Sequence, residues 1–441
     1  MITKKEYAAR RRDVMSVMEP NSIAIIAAAP ERIRSKDTLY PYKQCTNLTY
    51  LCGFPEPEAV MLLIPQRAQG EFVLFCRDKD LQREIWDGFR YGPSGAIDSF
   101  STDDAFPIDD IDDILPGLLE GKSHVYYSLG KDADFDKRVM QWTNEIWKNS
   151  ALEQNEHHSV RPGELKDFDH LLSEMRLIKS SAEIKLMRKA AEISAHAHRR
   201  VMSYCRPNLS EYHLQAEIEH EFMRSGATGP AYTSIVGGGK NACVLHYIEN
   251  KDKLRSGDLV LIDAGCEYEN YAADITRTFP ISGKFTKAQA AIYDIVLAAQ
   301  SAAIEKIAPG LSFELGNKAA VNVITEGLVE LGLLEGDVNS LIAEGAYRQF
   351  YMHNVSHWLG MDVHDVGDYK IEECWRVLEP GMVLTVEPGI YIAPDNKDVD
   401  QKWRGIGIRI EDNVLVTQKG NEVLTDQVPR DRQQIEQLMA G

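Results

Sequence analysis

The sequence predicts two domains: an α/β domain over residues 1–170 and an α+β domain over residues 171–441. Three observations lead there. The chain has 441 residues, more than one hydrophobic core accommodates. Short strand-like runs alternate with helical segments in its first part. Beyond residue 180, long amphipathic helices group apart from strand runs.

In chain order, Ile23–Ala28, Ala59–Ile64, Glu71–Cys76 and His124–Ser128 read as strands, and Ile108–Leu115 and Asp136–Lys148 as helices. The polar stretch Gln154–Gly163 reads as a loop, and the domain boundary falls between 155 and 180. Ser181 with Glu183 starts a long helix, periodic in Ile184, Met187 and Ala191, that stops before Pro207. Ser210 caps the next, which runs towards Gly226; Thr286–Ile307 and Leu311–Leu333 follow. Asp258–Ala264, Tyr271–Pro280, Met382–Glu387 and Ile406–Thr417 are strand runs.

The net charge of −18 disfavours nucleic acid and anionic lipid as partners. No stretch approaches the ~18 apolar residues of a membrane span, and the basic start lacks a signal-peptide core, so a cytoplasmic protein is expected. Seven scattered cysteines without a Cys-x-x-Cys pair predict buried reduced thiols, no disulfide framework and no thiolate zinc site.

The chemistry concentrates in Leu259–Pro280, where two strand-like runs flank a polar turn. A turn centred on Tyr268-Glu269 sets Asp263 directly opposite Asp274; one centred on Glu269-Asn270 makes them diagonal neighbours. Either way both carboxylates share a face, which costs stability unless they are protonated or bridged by a cation. The alternative is a solvated face with two incidental acids. Glu387 ends the apolar run MVLTVE, and Glu411 follows IGIRI with Arg409 two residues earlier on the same strand face. A plain Arg409–Glu411 surface pair is the competing interpretation there. The segment 352–367 adds His353, His357 and His364. One imidazole with four carboxylates makes a hard ligand set whose charge balances two divalent cations. Mn²⁺ suits it best, with Co²⁺, Zn²⁺ or Fe²⁺ also able to bind.

In order and context, Asp263, Asp274, His357, Glu387 and Glu411 resemble the five metal ligands of the pita-bread metallopeptidases, the family of methionine aminopeptidase, prolidase and aminopeptidase P. IDAG, ADITRT, SHWLG, TVEPG and GIRIED look like its proline-specific branch. Residues 40–60 and EIWDGFRYG at 84–92 look like bacterial aminopeptidase P, so the resemblance covers most of the chain. One departure is Asn354, where the family usually has glycine.

The resemblance implies a pita-bread catalytic domain holding two divalent ions, most simply Mn²⁺. It implies release of the first residue from peptides with proline second, by attack of a metal-bridging hydroxide. It makes His246, His364, Glu387 and Arg409 the catalytic side chains. His246 and His364 would steady the oxyanion, and Glu387 would pass a proton to the leaving nitrogen. His353 and Arg409 would shape the proline side; His353, Tyr369 and Arg376 are the substrate-binding candidates. Residues 1–170 would serve oligomerisation and form a cleft wall, giving dimers or tetramers.

Two motif-like strings fail. Gly237-Gly238-Gly239-Lys240 lacks the upstream glycine and the following Ser/Thr of a phosphate loop and reads as a turn near the substrate cleft. His220-Glu221 lacks the second histidine of a zincin, since position 224 is arginine. The competing functions are an Xaa-Pro dipeptidase on the same scaffold, a metal-free binding module, and a creatinase-like amidinohydrolase; the complete ligand set opposes the last two.

Overall fold

A computed structural model describes residues 2–152 and 162–441. The chain forms two compact units, Ile2–Met175 and Arg176–Gly441. Most of the stretch expected as a loop, Gln154–Gly163, lies outside the described residues.

The first unit is built on a six-stranded mixed sheet. Its strands lie in the order Asp104–Pro107, Phe72–Cys76, Val60–Leu63, Ser22–Ala27, His124–Tyr126 and Glu164–Lys166. The central pairs are antiparallel and the outer ones parallel. The central runs are β-branched and aromatic and buried on both faces, as strands covered by helices must be. Ile23, Leu62, Phe75, Leu115, Val139 and Trp142 pack in its core.

In the second unit four long helices surround small antiparallel sheets. They are Ser181–Tyr204, Glu211–Arg224, Lys287–Ile304 and Glu314–Glu330. The first begins one residue earlier in its capping logic than the sequence suggested. Ser180, not Ser181, is the N-cap, and its hydroxyl and the Glu183 carboxylate form a reciprocal capping box. Thr286 and Gln289 repeat the device. One sheet joins Ile235–Gly238, Leu259–Asp263 and Thr276–Pro280; another joins Val383–Val386, Asp412–Thr417 and Gly420–Val423; Gly389–Tyr391 pairs with Gly407–Arg409.

All seven cysteines are free, but burial is not uniform: Cys374 is exposed, on a short polar hairpin. No described helix is long and apolar enough to cross a membrane.

Candidate metal centre

The hairpin resolves the register question. Tyr268 pairs with Tyr271, so the turn residues are Glu269 and Asn270, both with positive φ (49° and 68°). That left-handed pair matches the twist of a two-residue hairpin. The same register places Asp263 opposite Thr276 and leaves Asp274 as its diagonal neighbour. The expected continuous strand Tyr271–Pro280 is interrupted between Ala272 and Thr276. There the buried Asn413 amide takes over the backbone of Asp274: its Oδ1 accepts from the Asp274 N–H at 3.0 Å, and its Nδ2 donates to the Asp274 carbonyl. Gly265 is required by close approach, since a Cβ there would meet the Ala273 carbonyl oxygen at 1.8 Å.

Four carboxylates and an imidazole converge on one cavity of about 710 Å³. Its walls include Asp263, Asp274, His357, Glu387 and Glu411, together with His246, His353, His364, Tyr369 and Arg409. Ligand-type atoms of Asp274, His357 and Glu411 all lie within 4.8 Å of one another. Arg376 is not brought there. It is buried, and its Nε donates to the Asp368 carbonyl at 2.5 Å, so it braces the chain beside Tyr369 instead of reaching the cavity as expected.

Two groups that the sequence did not single out, Tyr232 and Thr276, support the acids. The Tyr232 hydroxyl lies 2.6 Å from Asp263 and 2.5 Å from Asp274. Thr276 donates to Glu411 at 2.6 Å and accepts from Arg409 Nε at 3.0 Å. Arg409 also donates to Asp263 at 2.6 Å and to the Tyr391 oxygen at 3.1 Å. Its charge therefore answers Asp263, and the surface pair with Glu411 is not formed. Burial lowers His353 to about 4, so it is neutral. Its Nδ1 faces the Asn354 carbonyl at 2.8 Å, and Nε2 accepts from Tyr391 at 2.9 Å. Asn354 is not among the residues with positive φ, so the absence of glycine there brings no strain.

The donor set fits divalent cations. His357 Nδ1 lies 2.9 Å from the Trp358 carbonyl, which can only accept, so Nδ1 carries a proton. Its Nε2 faces Asp274 at 3.4 Å and Glu387 at 3.5 Å. A lone pair aimed at two carboxylates is repulsive unless a cation lies between. Burial opposes a proton there, yet the hydrogen bond to Asp274 and the charges of Glu387 and Asp274 raise His357 to about 9. Burial lifts Glu387 to about 7, with the charges of Asp274 and Asp263 adding to it. Burial, reinforced by Asp274, Glu387 and Asp263, holds Glu411 well above the usual carboxylate range. Metal ions relieve both effects, because carboxylates and a neutral imidazole are the forms that ligate.

The profile described as metallopeptidase family M24 matches residues 185–418, the segment that carries all five ligand-type side chains.

The chain belongs to metallopeptidase family M24.

A second profile, the aminopeptidase P N-terminal domain, matches residues 7–126 of this M24 chain. Among its relatives is the Xaa-Pro aminopeptidase of Escherichia coli strain K12, 48% identical over 100% of this chain and 98% of that protein. Another, from Haemophilus influenzae, is 44% identical over 99% and 98%. Among solved structures, the Pseudomonas aeruginosa aminopeptidase PepP matches with a TM-score of 0.97 at 59% identity, covering 100% of this chain and 98% of that one. Escherichia coli aminopeptidase P in complex with substrate matches with a TM-score of 0.95, 48% identity and the same coverage. The second unit is thus a pita-bread domain, and the first an α/β domain of the aminopeptidase P kind.

Proposed function

We propose that the chain is an Xaa-Pro aminopeptidase, a metal-dependent hydrolase that releases the first residue from peptides with proline second. The observation that carries this reading is the convergence of four carboxylates and the Nε2 of His357 in one cavity. Relatives and structural neighbours matched over the whole chain are Xaa-Pro aminopeptidases, which favours this over the dipeptidase alternative.

Asp263, Asp274, His357, Glu387 and Glu411 are the side chains that would hold the metal. Two divalent ions, Mn²⁺ being best suited to so oxygen-rich a set, would supply an activated water and polarise the scissile carbonyl. Burial and the neighbouring His357 and His246 push His364 below the usual imidazole range, and its ring offers an N–H to the developing oxyanion from the cavity wall. His246 lines the same cavity and shares that task. Glu387 carries a proton towards the leaving proline nitrogen. Arg409 and Tyr391 hold His353 in its neutral form, and His353 and Tyr369 face the substrate. Arg376 is left out of this set.

The deciding experiment compares an Xaa-Pro-Xaa tripeptide with the Xaa-Pro dipeptide, using metal-free protein with and without added Mn²⁺. Release of residue one from the tripeptide, dependent on metal and abolished in Asp274→Ala, is expected. Hydrolysis of the dipeptide alone would establish the prolidase reading instead. We also assign the protein to the cytoplasm, as a dimer or tetramer assembled through its N-terminal domain, residues 1–170. Cell fractionation and light scattering of the full chain check these two points, and a monomer would refute the second.

A further inference from the structure

One buried carboxylate outside the metal centre has no cationic partner. Glu211, at the start of the helix Glu211–Arg224, has no exposed surface, and among the described residues it forms no ion pair. Its charge is met entirely by four neutral donors. Oε1 accepts from the Gly238 N–H at 2.7 Å and from the Asn241 amide at 2.9 Å. Oε2 accepts from the Tyr247 hydroxyl and from the Asp252 N–H, both at 2.8 Å. Hydrogen bonds to a charged acceptor in a buried setting are the strong ones.

Those donors are not scattered. They belong to the last residue of the strand Ile235–Gly238 and to the beginning, middle and end of the segment 239–252 that follows it. The segment is therefore folded around a single side chain. Asn241 closes the arrangement by also donating to Asp252 at 2.9 Å, and the Glu211 N–H donates back to the Asp252 carbonyl at 2.9 Å. The glycine run at 237–239, which is not a phosphate loop, also acquires a reason. Gly238 must let its N–H approach the carboxylate, and a Cβ there would meet Leu254 Cδ2 at 2.8 Å.

The residue preceding Tyr247 is His246. It lies in a turn, is itself exposed, and among the described residues no hydrogen bond holds its ring. It still lines the cavity, together with His353 and His364. What fixes His246 is thus the backbone of its loop, and what fixes that backbone is Glu211. We infer that Glu211 is a positioning residue that holds His246 at the reaction site. The inference rests on the role proposed above for His246.

The test is a double-mutant cycle on the full chain loaded with Mn²⁺, reading kcat/KM on an Xaa-Pro-Xaa tripeptide, together with calorimetric titration of Mn²⁺ into each metal-free variant. Glutamine at 211 keeps the size but turns an NH₂ towards groups that themselves donate. Glu211→Gln is expected to lower kcat/KM by up to about a hundredfold, the scale of a displacement of about 1 Å. Placed on His246→Ala, the same change should cost less than roughly twofold, because the side chain it positions is gone. Mn²⁺ affinity should stay within roughly threefold of the parent. A general loss of structure would instead lower activity equally in both backgrounds and weaken Mn²⁺ in step, and either result overturns the inference. So does full activity of Glu211→Gln. If His246→Ala alone is silent, the reading of His246 fails and the inference with it. Should Glu211→Gln not fold, the same cycle with Tyr247→Phe decides: coupling to His246 supports the inference and additivity refutes it.

Discussion

Tyr232→Phe isolates the part of the site that organises the acids before any ion arrives. The hydroxyl lies 2.6 Å from Asp263 and 2.5 Å from Asp274. Burial, with the charges of Asp263 and Asp274, pushes the phenol well above its usual range, so it remains a donor at every working pH. A hydroxyl donates only once. Without metal the second contact needs a proton on one of the carboxyls, and burial shifts Asp274 in that direction. With metal, the phenol orients one oxygen while the others face the ions. Outer partners of this type are worth about 10–100-fold in metal affinity. At about 1.4 kcal/mol per tenfold, that is about 1.4–2.8 kcal/mol. It agrees with the roughly 1.5–3 kcal/mol of a hydrogen bond to a charged group. Phenylalanine fills the same space, so the thermal midpoint should move by no more than a few degrees, about 1 kcal/mol. Calorimetric titration of Mn²⁺ into metal-free protein reads the affinity directly. A dissociation constant within roughly twofold of the parent would show that the phenol does not organise the ligands, and the reasoning would be wrong.

Three further outcomes are expected. Metal-free protein should lose stability as pH rises. Glu387 is raised from 4.5 to about 7 and His357 from 6.5 to about 9, so each contributes stability below its unfolded value and loses it as pH passes its folded value; melting scans from pH 4.5 to 9 check the slope, which Mn²⁺ should reverse. Arg277→Met should destabilise by about 3 kcal/mol in urea titration, because it removes the nearer of the two guanidinium groups that answer the fully buried Asp412, Arg277 at 2.7 Å, and leaves only the half-buried Arg430 at 3.4 Å. Gly265→Ala should abolish Mn²⁺ binding while leaving a folded protein by circular dichroism, since its Cβ cannot pass the Ala273 carbonyl without moving Asp274.

The four acids were legible because each sits where a polar group has no structural reason to be, inside or at the end of an apolar run, whereas His357 was set apart from His353 and His364 only by the family resemblance. Parity placed Asp263 and Asp274 on one face but left the turn centre open. The structure chose Glu269-Asn270, whose left-handed conformations the sequence does not advertise as an Asn-Gly pair would. The break at Asp274 was illegible, because its cause is a side chain at Asn413 far along the chain. Tyr232 was invisible for the same reason: nothing in PAYTS distinguishes it until the hairpin folds beside it. Helices such as Leu81–Asp87, with no buried residue, and Val338–Glu344, with one, lack the apolar periodicity on which such readings depend.

The pair Glu411-Asp412 shows why reading a single face was not enough. Successive side chains of an extended strand point to opposite sides. Glu411 turns towards the cavity. Asp412 turns into the core, where Arg277, Gln300 and Thr425 take its oxygens at 2.7, 2.9 and 2.6 Å. Arg277 also donates to the Glu411 carbonyl at 2.5 Å and to that of Thr276 at 3.0 Å. The backbone between the two acids is thereby clamped from behind, while Thr276 orients Glu411 from the side. A flexible strand would let Glu411 swing away from Asp274 and relieve the repulsion that burial imposes. The clamp forbids that relief. The charges stay together, and the affinity for a divalent cation is the repulsion that the core does not let them escape.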